Sequence, residues 1–152
     1  EAMFQGVCTA LVTPFRLDFV HLEVYDQLLD RQLRAGVTAL VVCGTTGESA
    51  TMTDTERLDL IGHTVDYVRG RCKVIAGTGS NATTHAITLS KEAEAGADGL
   101  LLVSPYYNKA TEAGLIAHYT AIGDQVHLPC IVYNVPSRTG VNIPVSVYQA
   151  LS

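Results

Sequence analysis

Short apolar runs and amphipathic stretches take turns along this chain, separated by turns rich in Gly, Thr and Pro. Val7–Val12 reads as a strand ended by Thr13-Pro14. Val24–Arg34 carries apolar residues at helical spacing (Val24, Leu28, Leu29, Leu33), and Gly36 closes that helix. Thr38–Cys43 is a continuous apolar run, the pattern of a strand buried on both faces. Thr53-Asp54-Thr55-Glu56 fits a capping box and predicts a helix running to about Val68. Lys73–Gly77 is the third strand. Asn81 and Thr83 are positioned to cap a helix over Thr84–Ala95. Gly99–Ser104, ended by Pro105, is the fourth strand, Thr111–Gly123 the fourth helix and Cys130–Tyr133 the fifth strand. Pro144 suits the first position of a further helix.

Strict strand–helix alternation predicts parallel strands joined by right-handed crossovers. A doubly wound sheet and a (β/α)8 TIM barrel share that pattern. The first strand–helix turn has neither a G-x-G-x-x-G nor a P-loop signature. Polar motifs instead follow strands two, three, four and five alike, as they do where a barrel builds its site from many loops on one face. The expected fold is therefore α/β, a (β/α)8 barrel of which this chain covers about the first five units of eight. Residues 1–152 are expected to be the N-terminal part of one barrel domain. Glu1-Ala2, ahead of Met3, read as residues added in cloning.

Composition narrows the function classes. The chain has 152 residues, 47% hydrophobic and 16% charged, which suits a globular domain rather than a disordered segment. Its net charge is -5 and its Lys and Arg are scattered, with Arg69 and Arg71 the densest pair, so nucleic acid is not an expected partner. No apolar run approaches membrane-spanning length and no signal-peptide pattern is present. Cys8, Cys43, Cys72 and Cys130 show no C-x-x-C spacing and read as buried free thiols of a cytoplasmic protein. His21, His63, His85, His118 and His127 share no ligand spacing and read as solvated positions.

Three loops carry candidate chemistry. Gly44-Thr45-Thr46-Gly47-Glu48-Ser49 offers glycines for close backbone approach, with hydroxyls and N–H donors suited to a small carboxylate. The spacing Thr45-x-x-Glu48 equally fits a capping box. Ser104-Pro105-Tyr106-Tyr107-Asn108-Lys109 presents a tyrosine pair that serves either packing or, beside a threonine hydroxyl, proton transfer. Tyr133 ends strand five, and Arg138 follows a Pro-containing turn; an arginine fork suits a carboxylate, while a core tyrosine and a surface arginine are the plain alternative. Lys73, Lys91 and Lys109 are the amines available for a Schiff base, and none falls at the inward C-terminal end of a strand.

Together these motifs resemble the dihydrodipicolinate synthase (4-hydroxy-tetrahydrodipicolinate synthase) family, among the pyruvate-dependent class I aldolases that include N-acetylneuraminate lyase. The likeness runs from Thr9-Ala10-Leu11-Val12-Thr13-Pro14-Phe15 through Ala76-Gly77-Thr78-Gly79-Ser80-Asn81 and Ser104–Lys109 to the last helix. Gly44-Thr45-Thr46-Gly47-Glu48, where neuraminate lyases look like G-S-T-G-E, and Arg138 within Pro136-Ser137-Arg138-Thr139-Gly140 favour the synthases. The resemblance implies a lyase of lysine and diaminopimelate biosynthesis that condenses pyruvate with L-aspartate-4-semialdehyde through a lysine Schiff base. Thr46 would bind the pyruvate carboxylate and Arg138 that of the semialdehyde. Tyr133 would be the general acid/base, with Thr45 and Tyr107 completing a proton relay across a subunit interface. It implies a homodimer or homotetramer and no metal or organic cofactor.

Departures from the family pattern set further expectations. The Schiff-base lysine and the later pyruvate-pocket loop would lie beyond Ser152, so the 152-residue piece alone is expected to be inactive. Ser49, Ala50, Asn81 and Tyr106 match the lysine-inhibited members' allosteric site, but His85 stands where some carry a glutamate, which implies weak or absent lysine inhibition. Arg16–His21 departs from the usual glycine-containing turn. The competing readings are a non-catalytic, self-associating barrel fragment and a sister aldolase such as a neuraminate or keto-deoxy-sugar lyase.

Overall fold

The computed structural model describes residues 4–152; the reading of Glu1-Ala2 lies outside the described residues. The apolar runs form one parallel sheet. Its strands are β1 (Cys8–Ala10), β4 (Ala39–Val42), β5 (Lys73–Gly77), β6 (Gly99–Val103) and β7 (Cys130–Tyr133), adjacent in that order. Each strand is added beside the one before it. A doubly wound sheet would reverse direction at a switch point; this one does not, and it forms the N-terminal part of a β/α barrel.

Alternation along each strand divides the core into two layers. Leu40, Val42, Val74, Ala76, Leu100 and Leu102 face the helices and share one large cluster with them. Ala39, Val41 and Ile75 face the other way and pack with Phe4, Leu101 and Ile131. Burying both faces is why Thr38–Cys43 reads as an unbroken apolar run.

The helices are α1 (Leu22–Arg34), α2 (Asp54–Val68), α3 (Thr83–Ala93), α4 (Glu112–Gly123), the single turn α5 (Pro136–Thr139) and α6 (Val145–Leu151). The capping box of α2 is present: Thr53 N donates to Glu56 Oε2 at 2.8 Å and Glu56 N to Thr53 Oγ1 at 3.2 Å. The bonds that Glu56 Oε2 accepts from Thr53 N and Thr53 Oγ1 hold its carboxyl below the usual range. Among the described residues, no helix is long and apolar enough to cross a membrane.

Several expectations are corrected. The buried stripe of α1 centres on Tyr25 and Leu29, each fully buried, while Val24 is exposed; the tyrosine takes the core position because its hydroxyl meets Thr64 Oγ1 at 2.8 Å. Neither Asn81 nor Thr83 caps α3: Asn81 donates to the Tyr106 carbonyl at 3.2 Å, and Thr83 Oγ1 pairs with His118 Nδ1 at 2.8 Å. Pro144 is the N-cap of α6 rather than its first helical residue. Cys43 and Cys72 are buried free thiols, but Cys8 and Cys130 are exposed because they lie on the edge strands β1 and β7. His118 is buried rather than solvated, and burial lowers its pKa. His63 is held by Asp26 at 2.6 Å. The Arg16–His21 segment is a small hairpin, β2 (Phe15–Arg16) with β3 (Phe19–Val20), turned through Leu17 at φ 55.

Candidate active site

The loops that follow β4, β5, β6 and β7 converge at the C-terminal ends of those strands, and the chain bends sharply to bring them there. Cys43, just after β4, sits at φ 56 with 2% of its surface exposed, a left-handed conformation seldom taken by a residue with a Cβ. Its Sγ donates to the Arg57 carbonyl at 3.7 Å, and burial pushes its thiol pKa up to about 12. Gly77 ends β5 against this bend, where a Cβ would lie 2.1 Å from the Cys43 carbonyl oxygen. Only glycine permits that approach.

Two backbone turns shape Gly44–Ser49: Gly47 N donates to Gly44 O and Glu48 N to Thr45 O, both at 3.1 Å. Thr13 Oγ1 anchors the loop from β1's side by donating to Gly47 O at 2.7 Å. Glu48 stands at φ 60 ahead of a 3-10 turn over Ser49–Thr51 and makes no side-chain cap, so Thr45-x-x-Glu48 is not a capping box. The Thr45 and Thr46 side chains are exposed.

Beyond β6, Asn108 N donates to Tyr106 O at 2.9 Å around Tyr107 at φ 72, the pattern of a γ-turn. A bulky side chain in this backbone conformation is strained. It leaves Tyr107 89% exposed. Beyond β7, Thr139 Oγ1 bonds the Val135 and Val141 carbonyls, and Asn134 bridges to Asn142 at 2.8 Å and accepts from Ile143 N at 3.2 Å. These bonds pin the α5 turn, from which Arg138 projects exposed.

These elements enclose two adjoining hollows. The larger, about 850 Å3, is bordered by Thr45, Tyr107, Lys109 and Arg138, and also by Ser49, Ala50 and Tyr106. The smaller, about 30 Å3, is bordered by Thr45, Tyr133, Arg57, Cys43 and Ser49. Thr45 borders both, and Thr46 borders neither. Among the described residues no hydrogen bond joins the side chains of Thr45, Tyr107 and Tyr133. His85 stands apart, with its Nε2 2.8 Å from Asp54 Oδ2 and its Nδ1 3.0 Å from Ser80 Oγ. Lys73 opens β5 at the opposite end, paired with Asp98 at 2.7 Å. Among the described residues, no cluster of three or more His, Cys, Asp or Glu side chains is arranged to hold a metal ion.

One residue at the site escaped sequence reasoning. Arg57 borders both hollows, is 7% exposed, and donates from Nη2 to the Gly77 carbonyl at 2.8 Å. The signal lay in the α2 pattern: Arg57, Leu60, Ile61, Thr64 and Val68 repeat at helical spacing, which puts an arginine on the buried stripe. A charge buried there needs a partner, and such positions are functional candidates.

The chain is similar to known proteins along its whole length. Residues 3–152 match the model of the dihydrodipicolinate synthetase family. A 4-hydroxy-tetrahydrodipicolinate synthase of Lachnoclostridium phytofermentans is 53% identical over 144 residues, 93% of this chain and 49% of that protein. The solved structure of a monomeric dihydrodipicolinate synthase variant superposes with a TM-score of 0.93 at 49% identity, over 95% of this chain and 49% of that one. The dihydrodipicolinate synthase of Acinetobacter baumannii superposes with a TM-score of 0.92 at 42% identity, over 94% and 50% of the two chains. The chain thus spans about half the length of the curated relatives it matches. Matched from residue 3 to residue 152, it belongs to the dihydrodipicolinate synthetase family.

Proposed function

We propose that these residues are the N-terminal part of a single-domain barrel enzyme, a 4-hydroxy-tetrahydrodipicolinate synthase that joins pyruvate to L-aspartate-4-semialdehyde. The observation that carries the reading is the convergence of Thr45, Tyr107 and Arg138 on one hollow of about 850 Å3, with Tyr133 on the smaller hollow that Thr45 also borders. The relatives' name supports the activity, and the Acinetobacter enzyme's structure is described as complexed with pyruvate.

In this reading a lysine outside residues 1–152 attacks the pyruvate ketone, and loss of water gives an imine. Removal of a methyl proton then gives an enamine, whose carbon adds to the aldehyde. Tyr133 moves the protons in imine formation and cyclisation, through Thr45 and Tyr107. The Gly44–Gly47 loop, with Thr46, takes the pyruvate carboxylate, and Arg138 takes that of the semialdehyde. The exposure and strained backbone of Tyr107 suit a side chain lent to a neighbouring subunit, making a dimer the smallest active unit. The solved structures similar to this chain include a monomeric variant, so the dimer rests on Tyr107 of this chain. The compartment is the cytoplasm, and no cofactor is needed.

The test is an intact mass of the full-length protein after incubation with pyruvate and borohydride, which reduces an imine to a stable adduct. One pyruvate per chain, mapped outside residues 1–152, is expected. No adduct, or an adduct on Lys73, Lys91 or Lys109, would overturn the reading. His85, already held by Asp54 and Ser80, has little to offer a lysine ammonium, so L-lysine titrated into the same preparation is expected to inhibit weakly or not at all. Strong inhibition would count against that assignment.

A further inference from the structure

Arg57 is an expensive residue to bury. Its guanidinium is a permanent charge with five N–H donors and no acceptor. Its side chain is 9% exposed and has one good hydrogen bond, from Nη2 to the Gly77 carbonyl at 2.8 Å. Nη1 lies 3.9 Å from Asp54 Oδ1, a distant ion pair whose carboxylate is half exposed and shared with His85. Nε is buried and finds no partner among the described residues. A buried donor left unpaired costs as much as a lost hydrogen bond, so such atoms mark places where something further binds.

Arg57 also borders the smaller hollow. Its volume of about 30 Å3 is too small for either substrate and large enough for a water, which needs roughly 10–15 Å3 and two to four polar partners. The hollow's border holds residues able to supply them: Arg57, Thr45, Ser49 and Tyr133.

We propose that Arg57 is a positioning residue for the reaction of the preceding section, acting on Thr45 and Tyr133 through one water held in this hollow. The inference rests on that reading. Arg57 can only donate, so the water must accept from Nε and point its own hydrogens onward. One reaches the Thr45 hydroxyl oxygen and the other the Tyr133 oxygen, since both residues border the hollow. A chain that begins at a donor-only cation therefore has a fixed direction, and it favours the form of Tyr133 that accepts a proton. In this role Arg57 acts through the water and not on the reacting atoms. The same side chain holds the Gly77 carbonyl, so α2 also fixes the top of β5.

The test is steady-state kinetics of the full-length enzyme with Arg57→Gln and Arg57→Lys. Arg57→Gln is expected to lower kcat on the order of 10- to 100-fold, with KM for both substrates changed by no more than about threefold. Arg57→Lys, which keeps a donor-only cation, is expected to recover part of the loss. A kcat within about twofold of the wild type for Arg57→Gln, or losses confined to KM, would overturn the proposal. Should Arg57→Gln not fold, a high-resolution crystal structure of the wild-type enzyme decides. A water within hydrogen-bond distance of both Arg57 Nε and Thr45 Oγ1 supports the proposal, and a direct protein partner for Nε in its place refutes it. Failure of the wild type to trap pyruvate would strike the parent reading instead, so the two are told apart.

Discussion

The two ends of the parallel sheet are both rich in polar side chains and use them in opposite ways. At the N-terminal ends of the strands the polar groups satisfy one another. Asp98 takes the Lys73 ammonium at 2.7 Å and the Val74 N–H at 2.9 Å. Glu94 accepts from the backbone N–H groups of His127 and Leu128, and the His127 bond above all keeps its carboxyl below the usual range. Arg71 donates to the Tyr67 and Val68 carbonyls, closing the C-terminus of α2. At the C-terminal ends, Thr45, Tyr107, Tyr133 and Arg138 border hollows with no side-chain hydrogen bond to another described residue, and Cys43, Glu48, Tyr107 and Lys109 all hold positive φ. One end spends its polar groups on stability; the other leaves them without partners among the described residues, on the face where barrel enzymes build their sites.

That contrast can be tested by unfolding the full-length protein in denaturant. The largest effect is expected for Gly77→Ala, whose new methyl meets the Cys43 carbonyl head-on. Forcing the backbone apart should cost about 3 kcal/mol. A loss under about 1 kcal/mol would mean that the bend at Cys43 yields easily and does not shape the site. Asp98→Ala comes next: it removes the acceptor of a strand N–H and should cost about 1 kcal/mol, with turnover unchanged. A fall in turnover would show that the two ends are coupled. Thr45→Val should be the mildest for stability, within about 0.5 kcal/mol, because its hydroxyl bonds to no other described residue. It should nonetheless cut turnover about 100-fold. Should Thr45→Val destabilise as much as Asp98→Ala, the division of labour between the ends would be wrong.

Much of this architecture can be read from spacing. Leu40/Val42 and Ala39/Val41 occupy opposite faces of β4 because side chains alternate along a strand, and their unbroken run announces two buried faces. Thr53 and Glu56 cap α2 across three residues, so the motif states its own geometry. What failed to show was either short or distant. The hairpin of β2 and β3 has two residues per strand and turns at Leu17-Asp18 rather than at a glycine. The Pro136–Thr139 turn is held by Thr139 and Asn134 rather than by helical periodicity.

Candidate site residues could be named from the sequence, but their arrangement could not. Thr45, Tyr107, Tyr133 and Arg138 could be named from motifs, yet nothing local says that Thr45 borders both hollows while Thr46 borders neither. Helical spacing puts Arg57 on the buried stripe of α2, but its partner, the Gly77 carbonyl, lies 20 residues away and belongs to another element. The same distance problem governs the cysteines: an apolar run describes Cys8 and Cys130 as it does Cys43, and only the order of strands makes the first two edge residues. By itself the sequence determined the alternation of strands and helices, the capping of α2 and the chemical repertoire of the loops. These depend on neighbours within about one helical turn, where covalent geometry dictates which side chains meet. The tertiary structure decided which loops share a hollow, which backbone must be glycine and what partner the buried arginine finds, because those outcomes depend on contacts between segments far apart along the chain.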